Sequence, residues 1–297
     1  MSYAAKIKQE LADSFPQSRN ARISEAAVIF AACGKIDESG RLEVKSENEL
    51  PVRKYFTLLK KTFIIDDKFL KMVNSGGMYA ASLNDVSLVQ KVKSEFNEIN
   101  AKLDDVNCKR AYLRGLFLAC GTMSEPESAY SMEYSLTDGD FTAKVLKFSG
   151  DFSIDFKLTE RKGRHIAYLK EGEQISDMLN VLGAPKAMMD FENVMILKDV
   201  RNNVNRKVNC ETANINKMVK AAQKKIDDIL YIKDRKGLDI LPEDLREIAV
   251  LRIENPESSL AELGGMLKEK LGKSGVSHRL DKISVIAERL ASSGAIK

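Results

Sequence analysis

Hydrophobic and polar positions along the first two-thirds of the chain follow a cycle that runs twice. Apolar residues at helical spacing mark Ser24 to Cys33. "RLEVKSE", Arg41 to Glu47, switches to a period of two and predicts a strand. "VRKYFTLLKKTF" returns to helix. "FIIDDKFLKMV" and "MYAASL" then predict two strands around a hairpin at "NSGG". "DVSLVQKVKSEFNEI" is helical again. The second pass holds helix "KRAYLRGLFLAC", strand "YSMEYSL" and helix "DFTAKVLKFS". Strands "DFKLTE" and "HIAYLK" follow around "RKGR", and helix "QISDMLNVL" closes it. The two passes, about 20–100 and 108–185, predict a pseudo-symmetric α+β domain over residues 1–200.

Each pass carries the same phrase at the end of its first helix, "AAVIFAACG" at Ala26–Gly34 and "LRGLFLACG" at Leu113–Gly121. Ala31, Ala32 and Gly34 in one copy, and Gly115, Ala119 and Gly121 in the other, are small. They predict two helices whose backbones approach closely. Gly34 and Gly121 also stand where a helix C-cap is expected.

After Pro185 the pattern becomes helical and basic. Residues 201–237 predict a basic helical linker. Its Asn- and β-branched-rich start predicts an irregular stretch, and Ile215, Met218, Val219, Ala222, Ile226, Ile229 and Leu230 then form a helical stripe. Gly237 ends it. Residues 238–297 predict three short helices. Pro242 opens the first, and Asn255-Pro256 stops it. Ser258 or Ser259 caps the second, with Glu262 placed for a capping box on Ser259. Ser274 is the expected cap of the third. Val276, Leu280, Ile283, Ala287 and Leu290 line its buried face. Ser277, His278, Asp281 and Lys282 lie on the free face, with Lys273 and Arg279 at its edge. This is a helix-turn-helix pattern, whose last helix suits the major groove.

Charge sharpens that reading. The formal net charge is only +4. Lys198–Gly237, however, holds eleven Lys/Arg against five Asp/Glu, and Ser258–Lys297 holds seven against four. Cations gathered in the last third point to an anionic partner, double-stranded DNA before acidic lipid. The expected DNA-binding residues are Lys273, Ser274, Ser277, His278, Arg279 and Lys282. Arg201, Arg206, Lys207, Lys217, Lys220 and Lys224 of the linker join them. No run of about 18 apolar residues predicts a membrane span, and "MSYAAKIKQELADS" reads as an amphipathic helix without a signal-peptide core. The chain therefore reads as cytoplasmic. The four cysteines, without a C-x-x-C pair, read as free thiols. "LGKS" at Leu271–Ser274 lacks the upstream glycine of a phosphate-binding loop, because Leu267 occupies that place. His165 and His278 are far apart in sequence, and a groove-facing His278 is favoured over a catalytic one.

The repeated helix phrase resembles the LAGLIDADG motif of homing endonucleases. "NRKVNCETANINK", "LPEDLREIAVLRIENPESSLAELG" and "KSGVSHRLDKI" resemble the signature of the WhiA family of bacterial DNA-binding proteins. The resemblance implies a degenerate LAGLIDADG-like domain of αββαββα repeats followed by a helix-turn-helix. It also implies a Gram-positive source and a role in transcription of cell-division, chromosome-segregation or sporulation genes. In the nucleases a carboxylate near the end of each motif holds Mg²⁺. Cys33 and Cys120 occupy those two positions. Thiols are mostly neutral at neutral pH and are soft ligands, whereas Mg²⁺ takes oxygen. Asp37, Glu38, Glu125 and Glu127 lie several residues further on. Two thiols without histidines also make a poor Zn²⁺ set. The expectation is therefore a non-enzymatic, sequence-specific DNA-binding regulator with no cofactor or metal. A LAGLIDADG-type endonuclease is one alternative. The other is an interaction scaffold whose N-terminal domain binds a regulatory protein.

Overall fold

The chain opens on α1 (Tyr3–Asp13), where the Ser2 hydroxyl accepts from the Ala5 N–H. Ser18 caps α2 (Arg19–Cys33) in the same way through Ala21. Each such cap satisfies a donor that the first helical turn leaves free. The first repeat continues with β1 (Gly34–Ile36), β2 (Leu42–Ser46), α3 (Glu49–Phe63), β3 (Leu70–Ser75), β4 (Met78–Leu83) and α4 (Val86–Ala101). The second is α5 (Val106–Cys120), β5 (Gly121–Met123), β6 (Met132–Leu136), α6 (Gly139–Gly150), β7 (Lys157–Arg161), β8 (Arg164–Leu169) and α7 (Gly172–Leu182). Then come α8 (Pro185–Lys236), α9 (Glu243–Glu254), α10 (Leu260–Met266) and α11 (Lys273–Gly294). This is a computed structural model, and it describes residues 1–101 and 103–294. It divides into two units, Met1–Asp199 and Val200 onward.

The first unit holds two antiparallel four-stranded sheets of the same order, β1-β2-β4-β3 and β5-β6-β8-β7. The registers repeat as well. Gly34 pairs with Val44 and Gly121 with Tyr134, in each case the residue after the repeated cysteine. Leu42 and Val44, like Met132, Tyr134 and Leu136, are buried, while the residues between them face outward. That is the period-two signature of a sheet with one face on the core. One core of buried residues runs from Tyr3 to Phe191.

Helices α2 and α5 make the central seam. A Cβ built on Gly115 would lie 2.7 Å from Val28 Cγ1 and 2.9 Å from the Glu25 carbonyl oxygen. Gly115 therefore permits the close approach. Gly34 and Gly121 do something else. Their backbones are extended (φ −105° and −79°) and not left-handed. A side chain there would strike the ring of Phe30 at 2.4 Å or Phe117 at 2.2 Å. Each glycine makes room for the ring four residues before it. Ala31 is exposed and takes no part in the seam.

Four further expectations are corrected. Strands β1 and β5 are only three residues long and were not foreseen. Helix α3 runs to Phe63, and strand β3 starts at Leu70, so "FIIDDKF" is a helix end and turn with Ile64 left-handed. Helix α8 is regular through the Asn-rich stretch from Arg201. Ser274 lies inside the first turn of α11 and is not its cap.

The second unit packs the end of α8, at Ile229 and Ile232, against α9, α10 and α11. Val276, Leu280, Ile283 and Ala287 are buried there. Ser259 and Glu262 form the reciprocal capping box of α10. The turn from α10 to α11 is tight. The Leu271 N–H donates to the Gly264 carbonyl (3.1 Å), and a Cβ on Gly264 would fall 2.1 Å from the Leu271 carbonyl oxygen.

Candidate nucleic-acid interface

Helix α11 begins with cations in solvent. Lys273, Ser274, His278 and Lys282 are exposed, and Ser277 is half-buried. The helix N-terminus adds its own partial positive charge and free N–H groups, so this end attracts phosphate oxygen. Lys273 and Lys282 suit phosphates, while Ser274 and His278 suit base edges.

Arg279 departs from this group. Its side chain is 16% exposed and turns toward the start of α9. Nε lies 3.7 Å from Asp244 Oδ2, Nη1 donates to the Asp244 carbonyl (3.4 Å), and Nη2 is 3.9 Å from Glu269. Arg279 thus joins α11 to α9 and to the preceding turn. It ties α11 inward from the edge of the free face, where the sequence places it.

Two further groups brace α10 and α11. Arg252 is 3% exposed. Its Nη1 donates to the carbonyls of Ser258 (2.7 Å), Pro256 (3.3 Å) and Asn255 (3.4 Å), which fixes the turn before α10. Lys225 pairs with Asp281 at 2.8 Å and donates to Ser284 at 2.9 Å, joining α8 to α11. Lys225 was lost among eleven linker cations. Arg252 lies near the apolar positions of α9, and that placement was its only signal.

Arg201, Arg206, Lys207, Lys217, Lys220 and Lys224 are all exposed on α8. Lys224 lies 3.5 Å from Glu288, an open surface pair that contributes little. At 100° per residue Arg206, Lys217, Lys220 and Lys224 share one face.

In the first unit, Cys33 and Cys120 end α2 and α5. Burial pushes the Cys120 thiol up to about 12, and the neighbouring Cys33 adds to this. Burial raises Cys33 too. Both stay protonated at neutral pH. The amine of Lys8 from α1 interacts electrostatically with both sulfurs, so a cation of the chain itself lies beside them. The acids further on are engaged elsewhere. Asp37 accepts from the Ser39 and Arg41 N–H groups (3.0 and 2.9 Å) and from Arg41 Nε (2.7 Å), which holds its carboxyl well below the usual range. Glu125 accepts from the Tyr3 N–H at 2.7 Å. Glu38 and Glu127 are exposed. Among the described residues no group of three or more His, Cys, Asp or Glu side chains could hold a metal ion.

Two cations of the outward sheet faces stand beside acids. Lys45 lies 3.0 Å from Glu43, and Arg161 lies 3.4 Å from Glu133. No described helix is long and apolar enough to cross a membrane.

These features agree with known proteins. Residues 204–287 match the family described as the WhiA C-terminal HTH domain. Residues 109–201 match the WhiA LAGLIDADG-like domain. The chain is 44% identical over 311 residues to "Probable cell division protein WhiA" of Lachnoclostridium phytofermentans, covering 98% of this chain and 99% of that one. The protein of the same name in Alkaliphilus oremlandii is 39% identical over 313 residues, covering 98% of each. Full-length DUF199/WhiA from Thermatoga maritima has a similar structure, with a TM-score of 0.62 at 29% identity over 97% of this chain and 98% of that one. With a LAGLIDADG-like α+β domain of two four-stranded sheets followed by a helical HTH region, the chain belongs to the WhiA family.

Proposed function

We propose that this protein is a non-enzymatic, sequence-specific DNA-binding regulator that acts in the cytoplasm on genes of cell division. The observation that carries this reading is the start of α11, where Lys273, Ser274, His278 and Lys282 stand in solvent on a braced helix. The exposed cations of α8 supply further phosphate contacts. Two curated relatives bear the name "Probable cell division protein WhiA", which supports the biological assignment. Chromosome segregation and sporulation are extensions of the same regulatory role.

The LAGLIDADG-like unit serves as a platform in this reading. Its two thiols remain neutral, and Asp37 and Glu125 are committed to turns and caps. Lys45 and Arg161 on its sheets stand beside acids, which makes these two less free to contact phosphate. Genome-wide mapping of bound DNA followed by binding assays on the recovered sites tests the proposal. The expected result is a shared motif, bound by the full chain and left intact with Mg²⁺. DNA cut in Mg²⁺ and spared in EDTA would overturn the non-enzymatic reading. Binding indifferent to sequence would overturn the regulatory one.

A further inference from the structure

One acid interrupts the basic start of α11. Between Lys273 and Ala287, Asp281 is the only carboxylate, set among Lys273, Arg279 and Lys282. At 100° per residue Ser274, His278 and Asp281 fall within an arc of about 60°. That arc lies opposite the buried Val276, Leu280, Ile283 and Ala287. All three residues are exposed, Asp281 through 60% of its side chain. An uncompensated carboxylate on this stripe would repel phosphate oxygens. Asp281 is compensated, because Lys225 reaches it from α8 with Nζ 2.8 Å from Oδ1. The same amine donates to Ser284 Oγ at 2.9 Å, and the Ser284 hydroxyl donates to Asp228. Two partners on α11 thus hold the amine. An ionised carboxylate accepts at about four lone-pair sites on its two oxygens. Lys225 takes Oδ1, so Oδ2 can still accept.

We propose that Asp281 is a specificity-determining residue of α11, a role that rests on the DNA-binding reading above. Its carboxylate accepts from the N4 amino group of a cytosine in the major groove, while Lys225 holds it in place. The chemistry of the base edges selects that base. A carboxylate only accepts. Guanine presents O6 and N7, and thymine presents O4, acceptors that repel it. Adenine presents the N6 donor, but beside the N7 acceptor. Cytosine presents the N4 donor with no acceptor of its own in the groove. Lys225 is a positioning residue. It offsets the repulsion between Asp281 and phosphate, and its bond to Ser284 fixes the amine against which the carboxylate is set.

Selection of duplexes from a randomised library by the full chain tests it, followed by titration of the selected duplex and of a random one. Wild type is expected to select a motif with a cytosine whose replacement weakens binding about tenfold. Asp281→Ala is expected to bind the selected duplex and its substituted form equally, with its preferences elsewhere in the motif kept. Asp281→Asn is expected to prefer adenine at that position, because an amide matches N6 and N7 together. Asp281 is exposed, so both variants should fold, as circular dichroism will verify. Lys225→Met is expected to weaken binding to selected and random duplexes alike. Adding Asp281→Ala to it is expected to restore binding to the random duplex. Lys225→Met with wild-type affinity overturns the positioning role. A motif unaltered by Asp281→Ala and by Asp281→Asn, whatever the change in overall affinity, overturns the base contact and leaves the DNA-binding reading standing. A wild type that selects no motif overturns both.

Discussion

Glu25 and Arg114 meet inside the seam between α2 and α5, where Arg114 Nε and Nη2 donate to the two Glu25 carboxylate oxygens at 2.9 and 3.0 Å. Glu25 is fully buried, and Lys54 of α3 lies 3.4 Å from the same carboxylate. Lys54 also donates to the carbonyls of Leu11 (2.9 Å) and Ser14. One acid thus ties the two repeats and α1 together. Its geometry is strict, because a planar fork on a carboxylate admits one register.

Removing one partner leaves a buried charge with too little compensation. Arg114→Met is expected to lose about 3–5 kcal/mol of stability. Glu25→Leu with Arg114→Met is expected to lose less than Arg114→Met alone. Urea unfolding of the three proteins checks the order.

Gly115→Ala should destabilise by about 1–3 kcal/mol, because the new methyl has no space beside Val28. Gly139→Ala is the contrasting substitution, since nothing lies within 4 Å of the Cβ there. Thermal unfolding should separate the two clearly.

Burial lowers the Lys54 amine to about 8 from its ordinary 10.5, with Glu25 opposing the shift. Between those values the unfolded chain binds the proton and the folded chain does not. Stability from this group therefore rises as pH goes from about 8 to 10.5, and is flat below. Denaturant unfolding of wild type and Lys54→Met at pH 8 and pH 10 separates this group from the raised thiols, and wild type is expected to gain stability relative to Lys54→Met over that step.

Cys210 is exposed, whereas burial raises Cys33, Cys108 and Cys120. Alkylation at pH 8 is expected to label Cys210 well before Cys33, Cys108 and Cys120, because the exposed thiolate is the nucleophile. Peptide mass spectrometry over time measures the order. Labelling of Cys108 or Cys120 as fast as Cys210 would contradict their protonated state.

The duplicated domain was legible because its repeated phrase and alternating strands each carry a strong period. Strands β1 and β5 were not, since three residues give no period. The seam was half legible. Small residues announced it, but only Gly115 makes the close contact, while Gly34 and Gly121 accommodate phenylalanine rings. The Glu25, Lys54 and Arg114 cluster was invisible, because charged residues in a sequence read as solvent-facing. At the interface, composition located the cations. It could not distinguish Lys273 and Lys282, which are open, from Arg279, which Asp244 and Glu269 hold.

The salt dependence of DNA binding tests the central claim most directly. Each phosphate contact contributes about 0.9 to the slope of log K against log salt. Wild type should show a steep slope on its own site. Lys273→Ala with Lys282→Ala should make it shallower by about 1.8 and weaken binding to specific and random DNA alike. An unchanged slope and affinity in that variant would contradict the placement of DNA on α11.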